Sequence, residues 1–294
     1  MPGSTQPPAQ APQAITPELR RWIVAQAEAG RPPDDVIQAM RDSGWDEAVA
    51  LQALEQTLRE RLDEIAADRR AAAEPAGPVP EPDLTGAPPL LQADGHAVQV
   101  LVSLRRPRVV VFGGLLTAAE CEALMALAAP RLLRSETVDI DTGGSEVNAA
   151  RTSDGMFFAR GETALIARIE QRIATLLRWP VERGEGLQIL RYRPGAEYLP
   201  HYDYFDPARP GTAPVLQRGG QRVGTLVIYL NSPAGGGATT FPDAGLEVAP
   251  VQGNALLFSY DRPHPSTGTL HGGAPVLAGE KWVATKWMRE GRFE

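Results

Sequence analysis

From residue 16 to about 68, apolar positions recur every three or four residues in three blocks, the spacing of helices with one buried face. Thr16 followed by Pro17 reads as an N-cap and first helical position for PELRRWIVAQAEAG, which Gly30 closes. A second helix follows Pro32 and Pro33 and ends at Gly44, and a third runs through WDEAVALQALEQTLRERLDEIA. Trp22, Ile23, Val36, Ile37, Met40, Trp45, Val49, Leu51 and Leu54 are the expected core of a small bundle over residues 16–69. Residues 1–15, rich in Pro, Gln and Ala, are expected to be a disordered tail. Residues 70–96 contain AAAEPAGPVPEPDLTGAPP and read as an extended Pro/Ala-rich linker.

The pattern changes over residues 97–294. RVVVFGGLL reads as a strand, and Thr117 with Glu120 forms a capping box for the helix AAECEALMALAA. Leu165, Ile166, Ile169, Ile173, Leu176 and Leu177 share one stripe of a helix over roughly residues 162–177. Beyond it, LQILRY, VGTLVIYL, LEVA, NALLFSY and KWVATKW are short β-type runs divided by Gly- and Pro-rich turns. GGG at 235–237 reads as a hairpin turn, with no GK[ST] to make it a phosphate loop. Helices followed by many short strands predict an α+β domain with its strands in a barrel or sandwich.

Composition narrows the function. A net charge of −7 gives no basic surface for general nucleic-acid binding. The single cysteine, Cys121, excludes an intrachain disulfide and a Cys-rich zinc site, and its apolar helical setting reads as packing. No run of about 18 apolar residues predicts a membrane span, and MPGSTQPPAQAPQ lacks the pattern of a signal peptide, so the expected setting is cytoplasmic.

The chemistry concentrates in HYDYFDP. A His201-x-Asp203 pair on an extended strand projects both side chains to one face, within reach of one small ion. The spacing alone is equally that of a surface strand meeting water. A two-His, one-carboxylate triad needs one more histidine, and His264 and His271 are the candidates. His264 lies between two prolines, where a loop suits the backbone better than a ladder, so His271 is preferred. Asp206, before Pro207, reads as a turn residue.

The succession RTSDGMFF, LQILRYRPGAEYLPHYDYFDP, GGQRVGTLVIYLN, GGGATTFP, GNALLFSY and HGGAPVLAGEKWVATKW resembles the prolyl 4-hydroxylase family of Fe(II)- and 2-oxoglutarate-dependent dioxygenases, from about Val109 to Trp287. The resemblance implies a double-stranded β-helix, or jelly roll, flanked by helices. It implies that His201, Asp203 and His271 hold Fe(II) and that Lys281 binds the distal carboxylate of 2-oxoglutarate. A buried dicarboxylate needs such a cation, since an unpaired buried carboxylate is costly. It further implies that Tyr192, Tyr229 and Thr225 line the 2-oxoglutarate pocket, though each equally fits a packed strand residue. Arg222, Trp287 and Tyr198 match positions of a peptide groove, with Trp287 also compatible with core. Where the family ends that strand with histidine, this chain reads Trp287, Met288, Arg289, which places Arg289 at the rim and leaves the substrate open. The implied cofactors are Fe(II), 2-oxoglutarate and O2, with ascorbate.

The expected activity is hydroxylation of a protein or peptide, at proline. A free amino acid or other small molecule as substrate is the rival within the same chemistry, and a catalytically silent jelly roll is the rival outside it. VIQAMRDSGWDEAVALQAL loosely resembles a ubiquitin-associated three-helix module, which implies a protein partner for the bundle.

Overall fold

The computed structural model describes residues 14–73, 77–134, 137–138, 145–146 and 152–294. The chain divides into two compact units between Glu74 and Pro75. The first holds α1 (Pro17–Glu28), α2 (Pro33–Asp42) and α3 (Glu47–Ala73). Thr16 caps α1, its hydroxyl accepting from Leu19 N at 3.3 Å, and Pro17 sits in the first turn, where a missing N–H leaves no bond unmade. Ile23, Val36, Met40, Ala50, Ala53 and Leu54 are the core, with Ile37 and Trp45 partly buried beside it. Two expected core residues face out instead: Trp22 is 36% and Leu51 45% exposed. The inward stripe of α3 is Ala50, Ala53, Leu54 and Thr57, an i, i+3, i+4, i+7 set that leaves Leu51 beside it. The tail expected over residues 1–15 lies outside the described residues except for Ala14 and Ile15, and Ile15 packs against the bundle.

The second unit opens with β1 (Leu90–Ala93), β2 (His96–Leu104) and β3 (Arg108–Gly113), followed by α4 (Ala118–Ala128). The short pieces β4 (Leu133–Arg134), β5 (Thr137–Val138) and β6 (Ser145–Glu146) lead to β7 (Asp154–Phe158) and α5 (Ala164–Leu177). Next come β8 (Leu187–Tyr192), β9 (Tyr198–His201), β10 (Arg222–Tyr229), β11 (Gly235–Gly236), β12 (Thr239–Phe241) and β13 (Leu246–Val248). β14 (Ala255–Ser259), β15 (His271–Gly273), β16 (Val276–Ala278) and β17 (Lys281–Arg289) complete it. Nine strands form one antiparallel sheet in the order β1-β2-β3-β14-β10-β17-β8-β7-β4, and β13-β12-β15-β9 form a second. The fold is the expected double-stranded β-helix with flanking helices.

Strand period sorts the large sheet into two faces. On β17, Val283 joins a cluster with Tyr192, Tyr229, Phe241, Val248 and Phe258, residues drawn from both sheets. Its even neighbours Trp282, Ala284 and Met288 join the cluster that takes Cys121 and Leu124 from α4 and Ile166, Ile169 and Ile173 from α5. All nine residues of β17 are buried, as a strand covered on both faces requires. Lys286 points to the helix side, where its Nζ donates to Glu170 of α5 at 2.5 Å. Burial raises the Cys121 thiol to about 11, so it is an inert packing residue as its setting suggested.

Two loop expectations are corrected. Residues 77–96 do not form a free linker: Glu81 N donates to Leu177 O at 3.0 Å, and the Glu81 carboxylate takes both Nε and Nη2 of Arg108. Pro80 seats so closely on Gly224 that a Cβ there would meet its Cγ at 2.5 Å. Proline-rich chain packs this way because its extended backbone asks few hydrogen bonds of the surface it crosses. GGG at 235–237 is likewise no hairpin turn. Gly235 and Gly236 pair with Ala278 and Val276, and a Cβ on Gly236 would meet Pro275 O at 2.4 Å.

The capping box of α4 also joins the two helices, because Glu120 accepts from Arg172 of α5 at 2.8 and 2.9 Å. Burial alone would raise the Glu120 carboxyl, but the hydrogen bonds from Arg172 and the Thr117 amide outweigh it and hold it at about 2, below its ordinary 4.5. A depressed carboxyl stabilises the fold fully above its unfolded value and loses that contribution as pH falls through the folded one. Between pH 4.5 and about 2, thermal unfolding should therefore fall more steeply for the parent than for Glu120→Gln. Parallel curves over that window would remove the Arg172 pair from the account of acid stability.

Candidate active site

The second sheet brings two distant histidines side by side. His201 ends β9, His271 begins β15, and the two are direct cross-strand partners with ring centroids 4.4 Å apart. Asp203 lies beyond the end of β9, in a bend, so the His-x-Asp pair converges because the chain turns and not through strand alternation alone. Its Oδ1 is 3.5 Å from His201 Nε2 and its Oδ2 is 3.6 Å from His271 Nε2. One ligand atom from each residue lies within 4.8 Å of the others, the only such group of three among the described residues. His264 is elsewhere, capping the turn Pro265–Thr267 through its bond with Ser266 N.

The backbone sets the imidazole tautomers. His201 Nδ1 lies 2.9 Å from Leu199 O and His271 Nδ1 3.0 Å from Thr269 O. A carbonyl only accepts, so each Nδ1 carries a proton and each Nε2 is the ring nitrogen turned toward Asp203. Burial, reinforced by His201, lowers His271 to about 4, so its imidazole is neutral at physiological pH. Burial opposes ionisation of Asp203, yet His271, His201 and Arg222 together hold its carboxyl well below the usual range. Two imidazole nitrogens and one carboxylate oxygen suit a divalent first-row metal.

The cavity beside this cluster is lined by Tyr192, Tyr198, Thr239, Lys281, Thr285 and Trp287, among others. Lys281 begins β17 opposite Tyr192 of β8, and a Cβ on Gly237 would come within 3.2 Å of its stem. The side chain is buried, forms no ion pair among the described residues, and is lowered to about 8 by desolvation. A buried cation without a counter-charge among the described residues is costly unless an anion joins it.

The remaining predicted residues divide. Tyr198 lines the cavity and stacks on His201 at 3.7 Å. Trp287 also lines it, and its buried Nε1 finds no acceptor among the described residues. Tyr229 does not reach the cavity: fully buried behind it, its hydroxyl donates to Thr239 at 2.9 Å, and Thr239 lines the wall instead. Thr225 lines the cavity, but its hydroxyl is committed to Asp203 Oδ2 at 2.7 Å.

Arg222 and Arg289 are not free rim cations. Arg222 grips Glu185 with two bonds of 2.7 and 3.0 Å, reaches Asp203 O at 3.4 Å, and lies over the Trp287 ring at 4.0 Å. Arg289, 2% exposed, donates to Gly220 O and sits 2.9 Å from Glu185. Sequence reading missed Glu185, and two buried guanidiniums of like charge cannot share this face without it. Burial lowers Arg289 to about 10. Burial would raise Glu185, but both arginines outweigh it and keep it ionised.

Comparison with known proteins places this site. Residues 187–289, which hold the whole cluster, match the model of the 2OG-Fe(II) oxygenase superfamily. Over 209 residues the chain is 40% identical to probable prolyl 4-hydroxylase 3 of Arabidopsis thaliana, covering 64% of this chain and 71% of that protein. The chain belongs to the prolyl 4-hydroxylase family. Prolyl 4-hydroxylase 1 of the same plant is 43% identical over 201 residues, covering 63% of this chain and 69% of its own. A viral collagen prolyl hydroxylase from Paramecium bursaria Chlorella virus-1, solved with 2OG, is 29% identical with a TM-score of 0.48, covering 62% of this chain and 95% of its own. As a prolyl 4-hydroxylase family member the chain is an Fe(II)- and 2-oxoglutarate-dependent dioxygenase that uses O2.

In this family member, the reassignment of the two arginines predicts a stability effect. Glu185→Ala leaves both guanidiniums buried without their carboxylate and should cost about 3–5 kcal/mol in chemical unfolding of the second unit. A loss below ~1 kcal/mol, the range of an exposed pair, would show that Glu185 does not anchor them.

Proposed function

We propose that this chain hydroxylates prolyl residues of a protein or peptide, with His201, Asp203 and His271 holding Fe(II) and Lys281 pairing with the distal carboxylate of 2-oxoglutarate. One observation carries the reading: a two-His, one-carboxylate cluster opens on a cavity whose wall holds a buried lysine with no ion pair among the described residues. Bound iron supplies the oxidative decarboxylation of 2-oxoglutarate by O2 that drives hydroxylation of a substrate C–H bond. The residues of the chain bind, orient and exclude water. Tyr192 and Thr239 offer hydroxyls beside Lys281, and Tyr198 covers His201. Trp287 presents an apolar ring on the cavity wall, a fit for a proline ring. Ascorbate as reductant, a protein partner for the N-terminal bundle, and a cytoplasmic setting belong to the same proposal.

The substrate is tested with prolyl peptides under aerobic conditions with Fe(II) and 2-oxoglutarate. Hydroxyproline should form in step with succinate. Succinate stimulated only by free amino acids would overturn the peptide reading.

The metal reading is tested by anaerobic Fe(II) binding. His201→Ala, Asp203→Ala and His271→Ala should each abolish it while thermal unfolding stays near the parent's, and His264→Ala should leave it unchanged. Iron retained by His271→Ala and lost by His264→Ala would reverse the assignment of the third ligand.

Lys281 gives a pH signature. A carboxylate binds the charged ammonium, so affinity for 2-oxoglutarate should be level below pH 8 and fall above it, where the free protein must take up a proton. Lys281→Ala should weaken binding roughly 10- to 100-fold, the loss of one charge-assisted contact of about 1.5–3 kcal/mol, and flatten that profile. Anaerobic calorimetry from pH 6.5 to 9.5 measures both. A parent profile unchanged in Lys281→Ala would remove the lysine from the cosubstrate site.

A further inference from the structure

The Asp203 carboxylate faces the large sheet as well as the histidines. Thr225 Oγ1 lies 2.7 Å from its Oδ2, and Tyr260 OH lies 3.0 Å from Thr225 Oγ1. Thr225 and Tyr260 are each 1% exposed, so water hardly competes for either hydroxyl. Counting protons orients the chain. A ligating carboxylate only accepts, so the single Thr225 proton goes to Oδ2. The contact with Tyr260 must then run from the tyrosine O–H to Thr225 Oγ1.

The mounting of these groups is unequal. Thr225 sits inside β10, paired with Phe258 of β14 on one side and Trp287 of β17 on the other. Tyr260 directly follows β14, and its amide donates to Val223 O at 3.1 Å. Both hydroxyls are thus carried by central strands of the nine-stranded sheet, whereas Asp203 stands in a bend outside any strand. His201 Nε2 faces Oδ1 and His271 Nε2 faces Oδ2 at nearly equal distances, so the histidines do not choose between the oxygens. The threonine does.

We propose that Tyr260 and Thr225 form a one-way hydrogen-bond relay that positions Asp203, tying Oδ2 to the sheet and leaving Oδ1 as the metal-ligating oxygen. The inference rests on the metal site proposed above. Thr225 and Tyr260 are positioning residues that act through the carboxylate. Polarisation along the chain makes Thr225 a stronger donor when Tyr260 donates to it.

Co(II) titration of the full chain, read by its visible absorption, tests this without turnover. Thr225→Val keeps the side-chain shape and removes the proton, and it should weaken Co(II) binding roughly 10- to 100-fold, the usual effect of losing an outer partner of a ligand. Thr225→Ser keeps the proton and should bind like the parent. Tyr260→Phe should fall between the parent and Thr225→Val, and thermal unfolding identifies any variant that is not folded. If Thr225→Val does not fold, Thr225→Ala against Thr225→Ser makes the same comparison. Parent-like binding by Thr225→Val, equal weakness of the serine and valine variants, or a larger loss in Tyr260→Phe than in Thr225→Val would each overturn the relay. A parent that binds no Co(II), indistinguishable from Asp203→Ala, would instead sink the metal site on which the relay depends.

Discussion

A buried carboxylate is the constraint around which this site is built. Taken out of water, Asp203 would take up a proton unless its charge were compensated from several sides. The second sheet brings His201 and His271, and the large sheet brings Thr225 and, through the backbone, Arg222. These elements are far apart in sequence, and only closure of the two sheets over one another unites them. The cluster is therefore a property of the whole β-helix. Arg222 is held in turn by Glu185, which also takes Arg289, so one acid next to β8 steadies both the end of β17 and the ligand bend.

β17 shows how one strand can serve packing and chemistry together. Its odd positions Lys281, Val283, Thr285 and Trp287 line the cavity. Its even positions meet the helices, and there Lys286 is neutralised by Glu170. Two lysines on one buried strand thus have opposite situations. Lys286 has its carboxylate within the protein, whereas Lys281 has none among the described residues. A buried cation with a partner is structural; one without a partner marks where a ligand anion belongs.

Much of this was legible because strand and helix periods survive burial. The runs LQILRY, VGTLVIYL and KWVATKW, the Thr117 capping box and the stripe of α5 all appear where the pattern put them. His271 could be preferred to His264 because flanking prolines disfavour a ladder, and the structure pairs His271 with His201. The packed course of residues 77–96 was not legible, since proline-rich composition describes a free linker and a chain lying extended on a surface equally well. β1 and β2 were missed for the related reason that half-exposed edge strands show only a partial alternation.

The protein partners of Arg222, Arg289 and Tyr229 escaped the sequence for a different reason. Neither strand position nor resemblance reveals whether a polar group is already satisfied. Arg222 spends donors on Glu185, a lone acid in GEGLQIL that periodicity treats as surface, and Arg289 lies beside the same acid while donating to Gly220 O. Tyr229 faces the barrel interior but spends its hydroxyl on Thr239. A polar side chain deep in a barrel either meets a protein partner or waits for a ligand, and the same pattern encodes both. Sorting the interior by that criterion leaves Lys281, which forms no ion pair among the described residues, on the cavity wall, a situation suited to an anion.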